Sequence, residues 1–165
     1  MFMGNSVPSW EGTFGATWTP IANLSLRTSF GWVSDVTKFN QNRWVTCTSY
    51  VQCEENVHPE RFDPTVVANV QLGGAQDLIN EFYEDASFLR LREVSALYRL
   101  PDDFLGMGTR RTSISVGARN LWTLSSYSGG DPEAMSVGAD TVGRIDDMGG
   151  VPQPVQLTLT LRAGY

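Results

Sequence analysis

Residues 155–165 read VQLTLTLRAGY, and this stretch has the strictest alternation in the chain. Successive side chains of an extended strand point to opposite faces, so its apolar residues share one side. Those residues are Val155, Leu157, Leu159, Leu161, Ala163 and Tyr165. The period of two therefore predicts a β-strand with one apolar and one polar face.

The same period recurs four more times along the sequence. The predicted strands cover about 9–19, 23–33, 87–100, 111–123 and 154–165. Short connections alternate with two long ones, residues 34–86 and 124–153, and the first long one shows no repeating pattern beyond a short helix near residues 75–84. We expect an all-β fold, an antiparallel meander of about five long strands.

Composition excludes several classes of protein. The 165 residues are 41% hydrophobic and 18% charged, with a net charge of −6. A nucleic-acid-binding protein needs a basic stripe to neutralise phosphates, and the sequence has none. No run approaches the eighteen apolar residues of a membrane-spanning helix. The first six residues do not read as a signal peptide either.

Three features favour a membrane barrel over a soluble sheet. The polar faces carry Gly, Ser and Thr with occasional Arg, whereas soluble edge strands are usually protected by Lys, and Lys38 is the only lysine. The connections alternate short and long, as the periplasmic turns and extracellular loops of outer-membrane barrels do. Trp10 and Trp18 lie eight residues apart on one face, roughly 27 Å along a strand.

That spacing matches a membrane girdle. At a strand tilt of about 40°, the two indoles are separated vertically by roughly 20 Å, close to the apolar band of about 25 Å that aromatic residues flank in such barrels. The predicted girdle residues are Trp10, Trp18, Trp32, Tyr98, Trp122 and Tyr165. Placing the short turns in the periplasm puts the C-terminus there as well.

Strand number then sets a limit. Single-chain bacterial barrels close with an even number of strands, at least eight. An open sheet in lipid leaves backbone groups unpaired at two edges, each at a cost of several kcal/mol. We therefore expect the chain to be the C-terminal piece of a larger transmembrane β-barrel.

Several motifs carry a resemblance to a known family. Residues 86–101 (ASFLRLREVSALYRLP) are similar to a strand motif of the SusC/RagA-type TonB-linked (TonB-dependent) outer-membrane transporters. Residues 117–123 (GARNLWT) and 127–133 (YSGGDPE) resemble a second motif, and residues 8–12 (PSWEG) the opening of an earlier strand. The Pro-Gln-Pro at 152–154 and the terminal aromatic also match. The order and spacing of these motifs fit the family from about Pro8 to Tyr165.

The resemblance implies a barrel of about 22 strands with an internal plug, of which this chain supplies the last five. It implies import of a glycan or peptide without chemical modification, energised by the TonB system. The implied partners are the lipid bilayer, the plug and remaining barrel, a SusD-like lipoprotein and the barrel-insertion machinery. Tyr165 resembles the signal that this machinery reads. No cofactor is implied.

The loops hold the remaining candidate residues. Cys47 and Cys53 are expected to form a loop disulfide rather than a redox pair. Trp44, Tyr50 and Tyr127 are candidates to stack on a substrate, although they could equally pack the loops. Residues 119–120 and 131–133 are expected to support a loop rather than to bind substrate or metal, so no metal site is predicted.

Two alternative functions, a carbohydrate-binding module and an enzyme, belong to other classes of protein than a transporter. A secreted β-sandwich that binds carbohydrate through exposed Trp and Tyr would also show the alternation, but it would be soluble without detergent. An enzyme needs a nucleophile, a base and an orienting group together, and the sequence offers no such set. We expect no catalytic residue.

Overall fold

The computed structural model describes residues 4–73, 79–102, 104, 110–134, 147 and 149–164. The strands are β1 (Trp10–Ile21), β2 (Leu24–Ser34), β3 (Thr37–Phe39), β4 (Tyr83–Asp85), β5 (Phe88–Arg99), β6 (Arg110–Ser125) and β7 (Gln156–Gly164). The helices are α1 (Gln41–Thr48), α2 (Glu54–Val57) and α3 (Pro64–Leu72), with 3₁₀ turns at Pro59–Arg61 and Asn80–Phe82. Among these described helices, none is long and apolar enough to cross a bilayer.

The five long strands form one sheet in the order β1-β2-β5-β6-β7. The long strands thus lie in the sheet in the same order as in the sequence. β3 and β4 are absent from this order because they pair with each other in a separate antiparallel sheet. The predicted antiparallel meander of about five long strands is confirmed. Consecutive long strands usually pair, and the order agrees with that tendency even though the first long connection separates β2 from β5.

The register of β6 and β7 separates two faces. Val116 lies opposite Leu159, and Ser115 lies opposite Thr160. Apolar side chains therefore meet apolar ones on one face and hydroxyls meet on the other. On β1 and β2 the rings of Phe14 and Phe30 stack with centroids 5.0 Å apart. Such cross-strand pairs stabilise a sheet in a fixed register.

Strand β1 is longer than its predicted range, which ended at Thr19. It continues through Pro20 to Ile21, and only two residues separate it from β2. Proline lacks the N–H that a strand residue donates to the ladder. Pro20 is the last residue but one of β1, beside the turn to β2, so at most one ladder hydrogen bond is lost there.

The first long connection contains regular structure where the sequence shows no repeating pattern. It includes β3, β4 and all three helices, while the helix expected near residues 75–84 is not formed in its described part. Residues 75–78 of that range lie outside the described residues, and residues 80–85 form a 3₁₀ turn and β4. Helices as short as these depend on caps and tertiary packing rather than on periodicity.

The chain divides into two compact units of opposite charge. The sheet unit comprises Glu11–Trp32, Leu89–Leu124 and Gln153–Tyr165, and the loop unit comprises Met1–Trp10, Val33–Phe88 and Ser125–Pro152. Counted from the sequence, the loop unit has fourteen acidic and four basic residues, a net charge of −10. The sheet unit has four acidic and eight basic residues, a net charge of +4.

Candidate functional site

The sheet unit exposes its apolar face. Leu157 and Leu159 of β7 are exposed, as are Val116 and Trp18. A shallow apolar depression of about 410 Å³ crosses this face and is lined by residues of all five long strands. Exposed apolar patches of this extent mark a membrane or protein contact surface in general.

The predicted girdle residues are mostly exposed side chains of the long strands. Trp10 is 69% exposed and Trp18 is 66% exposed, with Tyr98 and Trp122 also exposed. Trp32 is half-buried, since its indole lies across Gly12, where an added Cβ would come within 2.9 Å of Nε1. Tyr165 lies outside the described residues. The girdle stays a prediction.

The loop unit has two small hydrophobic clusters. One consists of Val33, Val36, Ala86, Phe88 and Tyr127. The other consists of Cys47, Cys53, Val70 and Phe82, with Phe39, Trp44, Val66 and Ile79 packed against it. The helices of the first long connection thus fold onto β3 and β4 instead of remaining irregular. Burial of these side chains supplies the packing that the short helices need.

Cys47 and Cys53 form a disulfide that joins α1 to the start of α2. Asn56 Nδ2 donates to the Cys47 carbonyl at 2.8 Å and to Cys53 Sγ at 3.3 Å, which braces the short loop. Glu55 lies close enough to both sulfurs to complete a three-residue metal-binding group. Disulfide sulfurs are not thiolates, however, and the thiolate is the form that binds metal.

Lys38 is the most deeply buried charged side chain described, with 0% exposure. Its Nζ donates to the carbonyl oxygens of Pro132, at 3.1 Å, and of Ala134. The same ammonium lies 5.5 Å from the centroid of the Tyr127 ring. Lys38 therefore holds the 127–133 motif against β3 through a cation–π contact and charge-assisted hydrogen bonds.

Asn40 and Glu84 attach the same motif at a second point. Asn40 Nδ2 donates to Ser128 Oγ at 3.0 Å and to Glu84 Oε1 at 3.2 Å, while the Ser128 backbone N–H donates to Glu84 Oε2 at 2.8 Å. Asn40 Oδ1 also accepts from the Arg43 N–H at 2.9 Å and so caps α1. One amide side chain thus begins a helix and holds the second long connection.

Asp147 makes a third attachment, at the N-terminus of α1. Its Oδ1 accepts from the backbone N–H of Gln41 at 3.0 Å, and Asn42 Nδ2 donates to its backbone carbonyl, also at 3.0 Å. A carboxylate is favourable there because the first N–H groups of a helix have no intrahelical partner. The two long connections are thus joined by polar groups that the sequence pattern did not single out.

The second motif serves structure in the same way. Asn120 has a left-handed backbone (φ 56°), and its Nδ2 donates to the Pro154 carbonyl at 3.1 Å. Arg119 forms an ion pair with Glu93, with Nε and Oε2 3.5 Å apart. Asp131 is buried, and its Oδ1 accepts from the Glu133 N–H at 2.9 Å. Asn120, Arg119 and Asp131 therefore each have a partner within the chain, and their role in supporting the loop stays a prediction.

A cleft of about 630 Å³ opens in the loop unit beside the disulfide. Four carboxylates line it, those of Glu54, Glu55, Glu84 and Asp85, together with Arg43 and the hydroxyls of Ser126 and Ser128. Arg43 bridges two of the acids, because its guanidinium pairs with Glu55 and, at 3.3 Å, with Glu84. The cleft is acidic, with four carboxylates against one guanidinium.

The predicted stacking residues have different environments. Trp44 packs in the loop core, with its ring 6.1 Å from that of Phe39 and its Nε1 3.5 Å from the Gly73 carbonyl. Tyr127 is only 7% exposed and lies under Lys38. Trp44 is half-buried and Tyr127 is buried, and both rings pack against other side chains of the loop unit. Tyr50 is 65% exposed and remains the candidate for stacking on a ligand.

Asp63 caps α3 and has a shifted pKa. The backbone N–H of Thr65 donates to Asp63 Oδ1 at 2.7 Å, and this bond, helped by the Thr65 hydroxyl, holds the pKa of Asp63 below its ordinary value of 3.8. A depressed pKa means that the cap stabilises the fold above the unfolded-state pKa. The stabilisation is lost as pH falls through the folded-state pKa.

Asp63→Asn is expected to remove this pH dependence while keeping the cap, since Asn is as good an N-cap as Asp. The protection of the α3 amides, measured as hydrogen exchange relative to the intrinsic rate at each pH, should fall between about pH 5 and pH 3 in the unchanged protein and fall less in the variant. Asp63→Ala, which loses the cap at every pH, is the control. Equal pH slopes in the unchanged protein and in Asp63→Asn would contradict the assignment.

Comparison with known proteins gives sequence and structural relatives. No family model matches the chain. Two TonB-dependent receptors of Formosa agariphila are similar: P3 is 38% identical over 58 residues, and P26 is 31% identical over 88 residues. The matched segments cover 34% and 51% of this chain, but 6% and 9% of the receptors.

Solved structures of the RagAB peptide importer share the fold. The closed-closed state aligns over 94% of this chain with a TM-score of 0.64 and 25% identity, and the open-open state over 96% with a TM-score of 0.67 and 24% identity. The chain resembles SusC/RagA-type TonB-dependent receptors. The resemblance inferred from the motifs is thereby confirmed.

The chain corresponds to a small part of these receptors. It spans 17% of the RagAB chains that it matches and less than a tenth of the two curated TonB-dependent receptors. The long matches to RagAB include both compact units, whereas the sequence matches are shorter.

The sequence motifs did not reveal four residues that hold the loops together, namely Lys38, Arg43, Glu84 and Asp147. A signal was present for Lys38, because it is the only lysine in the sequence.

Proposed function

We propose that the chain is part of a TonB-dependent transporter in the bacterial outer membrane, with its long strands in the bilayer. The observation that carries the proposal is the pair of faces on one sheet, with an apolar face exposed and a polar face opposite it. A lipid-embedded barrel needs this arrangement, because its outer surface contacts hydrocarbon and its interior contacts water. Similarity to TonB-dependent receptors supports the same reading.

In this proposal residues 34–86 and 124–153 form extracellular loops and the C-terminus is periplasmic. The remaining barrel, the plug and the TonB system complete the transporter, and the barrel-insertion machinery places it in the membrane. A SusD-like lipoprotein is the proposed partner at the loops. The proposed substrate is a glycan or a peptide, imported without chemical change. Of the two, a peptide is supported by the structural similarity to RagAB, which is named as a peptide importer.

A secreted carbohydrate-binding β-sandwich is less well supported. A sandwich buries the apolar face of each sheet against a second sheet. In the described part of the chain, the other sheet is the two-stranded pair of β3 and β4, which belongs to the loop unit. It is too short to cover five strands of nine to sixteen residues.

Orientation can be tested in cells that make the protein. An epitope inserted between Tyr50 and Val51, both exposed, should be stained by antibody on intact cells. The same epitope inserted in the β1–β2 turn, at residues 22–23, should be stained only after the outer membrane is opened. The proteins that carry either insertion should be recovered in the outer-membrane fraction. Staining of the turn on intact cells, or recovery in the soluble fraction, would contradict the proposal.

Transport is tested by uptake of labelled peptides and oligosaccharides in the same cells. Uptake should deliver the intact compound, and it should stop when TonB is inactivated or a protonophore is added. The control is a strain that lacks the gene. Uptake that continues without TonB, or that releases a modified product, would contradict transport of the proposed kind.

A further inference from the structure

The disulfide of the loop unit is buried by side chains from other parts of the chain. Cys47 is 2% exposed and Cys53 is 8% exposed. Val70 of α3 and Phe82 of the second 3₁₀ turn, both 0% exposed, belong to the same hydrophobic cluster. Packing of any further segment against the chain can only lower these exposures. The burial of the disulfide therefore holds whether or not the chain is part of a larger barrel.

Burial of the two sulfurs limits their redox chemistry. A disulfide is made or broken when a thiolate attacks a sulfur and forms a mixed disulfide, so the rate depends on access. Cys47 has almost no exposed surface for such an attack, and Cys53 lines the acidic cleft. A thiolate that enters this cleft is repelled, because four carboxylates face one guanidinium there. Reductants and oxidants should therefore react slowly with the cysteines of the folded loop unit.

The two cysteines can meet without the rest of the loop unit. They are six residues apart in sequence, whereas a loop as long as ten residues closes in about 10–100 ns in an unfolded chain. The cluster that covers them needs α1, α3 and the second 3₁₀ turn to pack together. Contacts between segments more distant in sequence form more slowly than local ones. Pairing of the cysteines is thus a local step, and their burial is a later one.

We propose that the loop unit is the substrate of a protein dithiol oxidase, an enzyme that carries a reactive disulfide, and that it reacts before it folds. The thiolate of one cysteine attacks the disulfide of the oxidase, which forms a mixed disulfide and releases one oxidase thiolate. The thiolate of the other cysteine attacks the sulfur of the first, which forms the Cys47–Cys53 bond and releases the second oxidase thiolate. Two electrons pass to the oxidase, and the two cysteine protons go to its thiolates or to water.

Folding then seals the bond. Oxidation comes first and burial second, so a loop unit that folded with free thiols would keep them. The inference rests on the proposed outer-membrane location, because the chain then passes through the oxidising periplasm, where such enzymes act. It goes beyond transport, since it concerns how the transporter is made.

The sealed state is tested by the rate of reduction. The whole transporter to which the chain is proposed to belong is treated with dithiothreitol in detergent micelles, either folded or with its loop unit unfolded in urea. Alkylation and mass spectrometry of the peptide that carries both cysteines follow the reaction. We expect reduction to be at least about tenfold slower in the folded protein. Equal rates would overturn the proposal.

Three variants test whether the covering cluster is the barrier. Phe82→Ala removes a fully buried ring and should speed reduction of the folded protein severalfold, and Val70→Ala is a smaller truncation in the same cluster with the same expected direction. Tyr50→Ala is the control, because Tyr50 lies between the two cysteines but is 65% exposed, and it should leave the rate unchanged. Equal acceleration by all three variants, or acceleration by none, would overturn the proposal.

The order of the two steps is tested by adding an oxidant late. The transporter is unfolded, reduced and refolded without oxidant, and oxidised glutathione is then added, while protease resistance of residues 34–86 reports folding. Protease-resistant protein should oxidise at least about tenfold more slowly than urea-unfolded protein. A loop unit that becomes protease-resistant only after oxidation would also support the order. Oxidation of protease-resistant protein as fast as unfolded protein would overturn it.

The role of the oxidase is tested in cells grown without added disulfides. In a strain that lacks the dithiol oxidase, newly made transporter should keep both thiols reduced, as measured by maleimide labelling after denaturation. Complete oxidation in that strain would overturn the proposal. The rates measured with purified protein do not depend on where the protein resides. Failure of the orientation experiment would therefore remove the compartment in which the oxidase acts, but it would leave the sealing of the disulfide to be judged by those rates.

Discussion

Leu159→Arg is expected to destabilise the sheet in a lipid bilayer by about 2–4 kcal/mol, the cost of an arginine on the lipid face near the midplane of a barrel. Leu159 is 75% exposed on the apolar face and lies opposite Val116. Its side chain would contact hydrocarbon in the proposed membrane setting. A charge there must be desolvated or must reach the interface.

Thr160→Arg is the matched control for that substitution. Thr160 is the next residue of β7 and lies opposite Ser115 on the polar face. The same arginine there would face water, and the expected change in stability is below about 1 kcal/mol. The measurement is urea unfolding in phospholipid vesicles of the whole transporter to which the chain is proposed to belong, followed by tryptophan fluorescence. Equal effects of the two substitutions would mean that the faces do not meet different solvents, and the membrane assignment would fail.

Lys38→Met is expected to destabilise the loop unit by about 2–5 kcal/mol, because two buried carbonyl groups lose their charged donor. The ammonium of Lys38 donates to Pro132 and Ala134 from a fully buried position. Methionine has a similar length but no N–H, so the carbonyl groups stay buried without that partner. Hydrogen exchange in residues 125–134 should accelerate strongly.

Arg61→Met provides the control in the same unit. The Arg61 guanidinium pairs with Glu54 at 3.2 Å, but both side chains are about 60% exposed. Exposed ion pairs contribute little, about 0–1 kcal/mol, so exchange in residues 125–134 should stay unchanged. If the two substitutions had similar effects, Lys38 would not be the group that holds the second long connection.

These two experiments address separate parts of the function. The lipid-face pair tests whether the sheet belongs in a membrane, and the Lys38 pair tests whether the 127–133 motif is structural. In the structure this motif is held by Lys38, Asn40 and Glu84, all of which lie in or next to β3 and β4. Side chains of the first long connection therefore hold the 127–133 motif of the second one.

The long strands and their two faces were predictable from the sequence. A strand has a strict period of two, and β7 follows it from Leu157 to Leu161 without interruption. The strand order agrees with the tendency of consecutive long strands to pair, although the first long connection separates β2 from β5. Pro20 is an exception to the rule that proline ends a strand, because β1 continues through it to Ile21.

The loop unit shows what only the tertiary structure decided. Helices of four to nine residues have too few turns to show a period, and α1 and α3 depend on the caps from Asn40 and Asp63. Lys38 and the Ala134 carbonyl are 96 residues apart in sequence, and Asn42 and Asp147 are 105 apart. Polar contacts of such separation have no periodic signature, because they depend on where distant segments meet. The sequence by itself determined a two-faced strand meander of the receptor type. The packing of distant loop segments decided the burial of Lys38 and the acidic cleft.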